Sequence, residues 1–156
     1  MIRILVSACL VGEAVRYDGG TVLCGSPWIE RWSSEGRLVP FCPEVAGGLP
    51  VPRAPAEIAG GRVVTRDGRD VTAVLLVGAR QALAAARSAG ARIAILKDRS
   101  PSCGSALVHD GTFSGALRSG EGITAALLRR NGIEVFGEHQ LERAAAHLSA
   151  LEKRVE

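Results

Sequence analysis

Short apolar runs alternate along the chain with longer segments in which apolar residues recur every three or four positions. The short runs, bounded by turn residues, predict buried strands, and the periodic segments predict amphipathic helices. The predicted strands cover residues 2–6, 38–41, 93–96 and 133–136, and the predicted helices cover residues 28–35, 71–89, 122–130 and 141–151. This alternation predicts an α/β fold: a small doubly wound, mostly parallel sheet with helices on both faces, in a Rossmann-like three-layer arrangement.

Turn and capping residues set the predicted boundaries. Ser26 and Pro27 are typical of a helix start, Asp70 is the expected cap of the long central helix, and Gly90 is its expected end. Residues 43–61 are rich in proline and glycine and predict an irregular loop. Residues 61–65 predict an exposed strand, and the Asp-Gly pair at 110–111 predicts a hairpin or loop. We see no repeat or linker, so a single domain over residues 1–156 is expected.

Composition excludes several classes of protein. Hydrophobic residues make up 47% and charged residues 22% of the 156 residues, which is typical of a globular chain. The net charge is only +3 and aromatic residues make up 4%, so we expect no nucleic-acid partner and no anionic membrane surface. No apolar run approaches the roughly 20 residues of a membrane helix.

Four cysteines are too few for a disulfide scaffold, and they form no Cys-x-x-Cys pair. Residues 6–9 resemble a lipoprotein cleavage box, but the apolar stretch before Cys9 is too short for a signal peptide. We therefore expect a cytoplasmic protein whose thiols bind a metal or take part in catalysis.

Three of the cysteines, Cys9, Cys42 and Cys103, each come shortly after a predicted strand. The carboxyl ends of parallel strands share one edge of the sheet, where ligands bind in such folds. These thiols are therefore predicted to meet there. Cys24 follows no strand directly and is expected to stay outside. A free cysteine often only packs in a core, but these three lie in loops dense in Gly, Pro and Ser.

Three thiolates suit a soft metal, either zinc or an iron–sulfur cluster. Three protein ligands leave one position open, which is the arrangement that substrate chemistry needs. Sequence spacing alone leaves zinc, a cluster and metal-free thiol chemistry all open.

Polar residues near the same edge are candidates for catalysis or substrate binding. Glu44 lies two residues from Cys42 and could act as a general acid or base. Ser100, Ser102, Ser7 and Tyr17 could orient substrate or water, although each also suits an ordinary turn. His109 follows Cys103 and is a weaker candidate, as is a phosphate site at residues 120–122.

Several motifs resemble those of the bacterial family that carries domain of unknown function 523 (DUF523), which includes iron–sulfur-dependent thiouracil desulfidases. They are Ser-Ala-Cys-Leu-Val-Gly at 7–12, Arg-Tyr-Asp-Gly at 16–19, Cys-Pro-Glu-Val-Ala-Gly-Gly-Leu-Pro at 42–50, Pro-Arg-Ala-Pro-Ala-Glu-Ile at 52–58, Leu-Lys-Asp-Arg-Ser-Pro-Ser-Cys-Gly-Ser at 96–105 and Asp-Gly-Thr-Phe-Ser-Gly at 110–115. The resemblance runs from about residue 3 to residue 138.

The resemblance implies a [4Fe–4S] cluster held by Cys9, Cys42 and Cys103, with one open iron. It also implies a catalytic glutamate and serine, which correspond to Glu44 and Ser100, with Ser102 as the second choice for the serine. The implied reaction is hydrolytic removal of sulfur from a small-molecule thiopyrimidine, such as 2-thiouracil, 4-thiouracil or their nucleotides, to give a uracil-type product and hydrosulfide. A cysteine-based sulfur or redox sensor and a zinc-binding regulatory protein are the alternatives.

Overall fold

The computed structural model of the protein describes residues 1–20 and 26–155. Its strands are, in chain order, β1 (Ile4–Ser7), β2 (Leu38–Phe41), β3 (Ala56–Ala59), β4 (Arg62–Thr65), β5 (Ile93–Leu96), β6 (Leu107–His109), β7 (Leu117–Ser119) and β8 (Glu134–Gly137). Its helices are α1 (Pro27–Ser34), α2 (Pro43–Ala46), α3 (Thr72–Ala89), α4 (Ile123–Arg130) and α5 (Leu141–Val155). A 3-10 turn, Ala8–Leu10, follows β1.

Four parallel strands form the central sheet, in the order β2-β1-β5-β8. Alternate side chains of a strand point to opposite faces, and two apolar clusters result. On one face, side chains such as Ile4 and Ile95 pack against α1 and α5. On the other face, Leu5 and Ala94 pack against α3 and α4. The predicted three-layer α/β fold is therefore confirmed.

The register brings the carboxyl ends of three neighbouring strands, β2, β1 and β5, to one edge of the sheet. Ile4 of β1 lies opposite Leu38 of β2 and Ile93 of β5, and all three strands run in the same direction. The strand predictions for 38–41 and 93–96 are correct to the residue, and the other two strands are shifted toward their carboxyl ends by one or two residues. The loops that follow these strands therefore all begin at the carboxyl edge of the sheet.

The prediction of an irregular loop over residues 43–61 is wrong in two places. Pro43 begins the short helix α2, and β3 pairs with β4 in an antiparallel hairpin. Strand β4 is not the exposed strand expected, because Val63 and Thr65 are buried. Ile58 and Val63 pack against Leu75 of α3, so the hairpin exists because of a tertiary contact.

The helix ends follow the expected chemistry. Oγ of Ser26 accepts a hydrogen bond from the Trp28 N–H at 3.2 Å at the start of α1. Gly90 ends α3 in the left-handed conformation at φ 69°. The predicted cap Asp70 lies one residue too early, because Val71 occupies the cap position of α3 without a side-chain bond; Oδ1 of Asp70 nevertheless accepts the Thr72 N–H at 2.9 Å. None of the helices in the described residues is long and apolar enough to cross a membrane.

Candidate active site

The three cysteines line one cavity of about 900 Å³ at the carboxyl edge of the sheet. Cys9 lies in the 3-10 turn after β1, Cys42 lies between β2 and α2, and Cys103 lies in the loop after β5. The structure thus brings Cys9, Cys42 and Cys103 to the same cavity. Cys24 lies outside the described residues.

Burial makes all three thiols hard to ionise. It raises the pKa of Cys9 to about 11, and the nearby Cys42 thiolate adds to the effect, whereas Lys97 opposes it. Burial also raises the pKa of Cys42, against backbone N–H groups that lower it. Burial raises the pKa of Cys103 well above its usual range, against a hydrogen bond from Ser7. Three thiolates therefore ionise together here only if a cation compensates their charge.

The donor set suits an iron–sulfur cluster. Cysteine thiolates are the ligands that such clusters use, and three of them line this cavity. Within residues 1–20 and 26–155, no three histidine, cysteine or carboxylate side chains converge closely enough to hold a single metal ion. A cluster takes each thiolate on a different iron atom, so it uses donors that are more widely spaced.

Glu44 lies in the first turn of α2 and lines the cavity. Its Oε2 accepts a hydrogen bond from Nη2 of Arg53 at 2.5 Å, and the two side chains are 17% and 6% exposed. The same guanidinium donates to the carbonyl of Val15 at 2.9 Å and to that of Pro50 at 3.2 Å. Arg53 therefore holds the Glu44 carboxylate in one orientation.

Ser100 lines the cavity beside Cys103. Its Oγ accepts hydrogen bonds from the N–H groups of Ser102 at 3.1 Å and Cys103 at 3.0 Å. A hydroxyl has two lone pairs and one proton, so the proton of Ser100 remains available for donation. Ser102 is fully buried, and its hydroxyl forms a hydrogen bond of 2.7 Å with that of Thr124 in α4.

Ser7 and Tyr17 both line the cavity. Ser7 is buried at the end of β1, where its Oγ accepts the Lys97 N–H at 2.9 Å, and its hydroxyl lowers the pKa of Cys103. Tyr17 is 43% exposed at the mouth, and its carbonyl accepts the Arg53 N–H at 2.6 Å.

The loop that carries Ser100 and Cys103 is folded around Asp98. Its Oδ1 accepts hydrogen bonds from the N–H groups of Arg99, Ser105, Ala106 and Leu107 at 3.0–3.3 Å. Burial would raise the pKa of Asp98, but these N–H groups outweigh burial and hold that pKa below its usual value. The acid therefore stays ionised and fixes the loop at neutral pH.

Sequence reasoning missed two cavity residues that organise the site. Arg53 joins Glu44 to the Val15–Tyr17 segment, and the arginine between prolines in the motif at 52–58 was the available signal. Lys97 lines the cavity, and its Nζ lies 3.5 Å from a carboxylate oxygen of the buried Glu138. His109 also lines the cavity, with its buried Nδ1 lacking a hydrogen-bond partner in the described part of the chain.

Comparison with known proteins gives three consistent matches. The family model for 2-thiouracil desulfurase matches residues 4–140. The uncharacterized protein YbbK of Bacillus subtilis (strain 168) is 43% identical over 148 residues, which is 88% of this chain and 97% of YbbK. The solved structure of the [4Fe-4S]-dependent thiouracil desulfidase TudS is 52% identical, has a TM-score of 0.94, and aligns over 96% of this chain and 99% of its own.

The family model covers most of the chain, including the cavity motifs from Ser7 to Gly115. The fold agrees with that of the solved desulfidase at high identity. The resemblance drawn from the sequence motifs is thereby confirmed. The chain belongs to the 2-thiouracil desulfurase family.

Proposed function

We propose that this chain is a [4Fe–4S]-dependent desulfidase that hydrolyses the carbon–sulfur bond of a thiolated pyrimidine. Water supplies the oxygen of the uracil-type product, and the sulfur leaves as hydrosulfide. The observation that carries this proposal is the meeting of three cysteines in one cavity of a chain 52% identical to TudS over nearly its whole length. The same likeness favours the desulfidase over a redox sensor or a zinc-binding regulatory protein.

Cys9, Cys42 and Cys103 are the proposed ligands of the cluster. When bound through three thiolates, a [4Fe–4S] cluster leaves one iron free to act as a Lewis acid on the thiocarbonyl sulfur of the substrate. Ser7 supports this assignment, because its hydroxyl lowers the pKa of Cys103, against the burial that raises it.

Glu44 is the proposed general base. Its carboxylate lies in the cavity wall next to Cys42, and the contact with Arg53 fixes its orientation. Only Oε2 carries that contact, which leaves Oε1 to accept a proton from water as the water attacks the ring carbon. Arg53 is the residue that positions this base.

Ser100 is the proposed proton donor and water-orienting group. Both lone pairs of its Oγ are engaged by backbone N–H groups, so its hydroxyl donates outward. A donor beside Cys103 can hold the attacking water by its oxygen while Glu44 takes the proton. Tyr17 at the mouth is a proposed substrate contact. Ser102 supports the loop through Thr124 instead, so we assign it no direct contact with substrate.

The proposed substrate is a small molecule, and no nucleic acid or membrane takes part. A cavity of about 900 Å³ holds a thiouracil with room to spare, so a nucleotide fits as well as a free base. The proposed location is the cytoplasm, where a reducing environment keeps thiols free to bind iron.

Anaerobic reconstitution tests the function. The protein is loaded with iron and sulfide, its iron and acid-labile sulfide are measured, and hydrosulfide release is followed with 2-thiouracil and 4-thiouracil. We expect four irons per chain, a brown colour and one hydrosulfide per uracil formed. A colourless protein with one zinc per chain, or a loaded protein that releases no hydrosulfide from any thiopyrimidine, would contradict the proposal.

A further inference from the structure

One motif of the cavity has no part in metal binding or in the proposed proton transfers. It is the Asp-Gly-Thr-Phe-Ser-Gly segment at 110–115, which joins β6 to β7. Phe113 and Gly115 of this segment line the cavity. Phe113 has φ 56°, the left-handed region that bulky side chains rarely adopt. Surrounding contacts must therefore hold the aromatic residue in this conformation.

Glu57 of β3 supplies those contacts. Its side chain is buried, and its Oε1 accepts the N–H groups of Gly111 at 2.9 Å and Phe113 at 3.2 Å. Gly111 lets the segment lie directly on β3, since a Cβ there would stand 2.7 Å from the Ile58 carbonyl oxygen. Asp110 closes the turn by accepting the Thr112 N–H at 3.0 Å. The backbone of Phe113 is thus fixed from both sides.

The ring of Phe113 is half-buried in the cavity wall, and the Arg66 guanidinium lies over one of its faces, with its carbon 5.6 Å from the centroid. A flat ligand would therefore stack on the opposite face. The two other Phe or Tyr residues in the described wall differ from it. Tyr17 is largely exposed at the mouth, and Phe41 packs against the core cluster under α3 and α4. Phe113 is the one of the three whose N–H donates to a buried carboxylate, that of Glu57.

We propose that Phe113 forms the stacking surface for the pyrimidine ring of the substrate and that Glu57 is the positioning residue that holds it there. The inference rests on the proposed function, which supplies a thiopyrimidine as the ligand. Stacking recognises the ring and not its sulfur, so it governs the affinity for substrate and for product alike. The chemical step depends on other residues of the cavity.

Phe113→Leu and Phe113→Tyr provide the test, because leucine keeps the bulk without the ring and tyrosine keeps the ring. Stacking on an aromatic side chain accounts for about 5- to 150-fold in affinity. We expect Phe113→Leu to raise KM for 2-thiouracil about tenfold with kcat and iron content little changed, and Phe113→Tyr to stay within about twofold. Equilibrium dialysis with labelled uracil on the iron-loaded protein should show the same order. A leucine variant with normal KM and normal uracil affinity would overturn the proposal.

Glu57 is tested by Glu57→Gln and Glu57→Leu. Glutamine keeps an acceptor oxygen for both N–H groups and should retain most of the affinity, whereas leucine should lose about as much as Phe113→Leu. If Glu57 acts through Phe113, the double variant Glu57→Leu/Phe113→Leu is no weaker than Phe113→Leu alone. If the double variant instead loses affinity by the product of the two single losses, Glu57 has a role that does not act through Phe113. If Glu57→Leu fails to fold, Glu57→Asp takes its place, because aspartate keeps the charge but is too short to reach both N–H groups; an aspartate variant with normal affinity would overturn the positioning role.

Failure of this inference is distinguishable from failure of the function. If the wild-type loaded protein releases no hydrosulfide from thiopyrimidines, the proposed function is wrong. If it does so and Phe113→Leu behaves like wild type, only the stacking assignment is wrong.

Discussion

The contact with Arg53 gives the Glu44 carboxylate, in the first turn of α2, the defined direction that the proposed general base needs. Glu44→Gln preserves size and one hydrogen-bond acceptor, but it removes the basic oxygen. We expect iron content to stay normal and hydrosulfide release per cluster to fall about 10²–10⁴-fold, the usual contribution of a general base. The measurement is hydrosulfide release and iron content on the same anaerobic sample.

Glu121→Gln is the matched control for that experiment. Glu121 also forms an ion pair with an arginine, Arg129, at 2.5 Å, but it lies on the surface near α4. The control should keep full activity. Full activity in Glu44→Gln would instead remove this residue from the mechanism.

None of the three proposed cysteine ligands can be replaced by another, because each of the other two already holds its own iron atom. Serine at position 9, 42 or 103 replaces a soft thiolate by a hydroxyl that binds iron poorly. We expect Cys9→Ser, Cys42→Ser and Cys103→Ser each to abolish the brown colour after reconstitution, measured by visible absorbance and iron content. Cys24→Ser, at a position outside the described residues, should keep both colour and activity. If Cys24→Ser bleaches the protein, four cysteines close the site and the open-iron chemistry fails.

For single residues, the sequence predicted a place in the site when the residue type is rare in the chain, and it did not when the residue type is common. Cysteines after three strands are unusual, so their place at one edge could be predicted. Arg53 is one of many arginines, and only the folded chain brings it 2.5 Å from Glu44. Ser102 and Ser100 are equivalent in sequence, yet one hydroxyl contacts Thr124 and the other caps the Cys103 loop.

Among the elements, α2 is the short helix that begins next to Cys42 and carries Glu44. It lies so close to α3 that a Cβ at Gly78 would stand 1.9 Å from the Pro43 carbonyl oxygen. Gly-to-Ala in a helix interior normally stabilises by about 0.5–1 kcal/mol. Here the contact dominates, because overpacking against backbone costs about 1–3 kcal/mol. Gly78→Ala should therefore destabilise the protein and lower iron retention, measured by thermal melting and iron analysis.

Ser88→Ala is the control for Gly78→Ala, since Ser88 is exposed on the same helix. It should keep iron and melt at or slightly above the wild-type temperature. A stabilised Gly78→Ala variant with normal iron content would show that α2 moves without loss of the site.

The elements that sequence analysis missed are those that depend on partners distant in the chain. The long periodic helix α3 and the buried strands carry their own pattern, and their existence was predicted. Strand β3 is four residues long and depends on its pairing with β4, with Ala56 opposite Thr65. The proline and glycine residues around β3 are typical of a loop, and no local signal in the sequence distinguishes an irregular loop from a short paired strand.

For the whole molecule, the apolar pattern was enough to predict three layers, because each sheet face needs its own cover of helices. The two main apolar clusters contain mostly aliphatic side chains, with Cys9 and Cys103 at their margins. The cavity lies where the clusters end, at the carboxyl edge. Its detailed shape could not be predicted, because it depends on loops whose contacts are set by the finished fold. The single domain over residues 1–156 stays a prediction.

This arrangement predicts how the molecule responds when iron is removed. Apart from Cys9 and Cys103, the residues that form the clusters on the two sheet faces are not proposed iron ligands, so the sheet should stay folded. The segments that carry the cysteines lose a link between three strand ends, and ligand binding no longer stabilises them. Hydrogen exchange on loaded and iron-free protein should therefore show faster exchange at residues 8–12, 42–47 and 98–107. Amides of β1 and β5 should keep their protection, and the melting temperature should fall without loss of cooperativity. Global loss of protection in the iron-free protein would mean instead that the cluster is required for folding and that the apolar layers alone do not hold the sheet together.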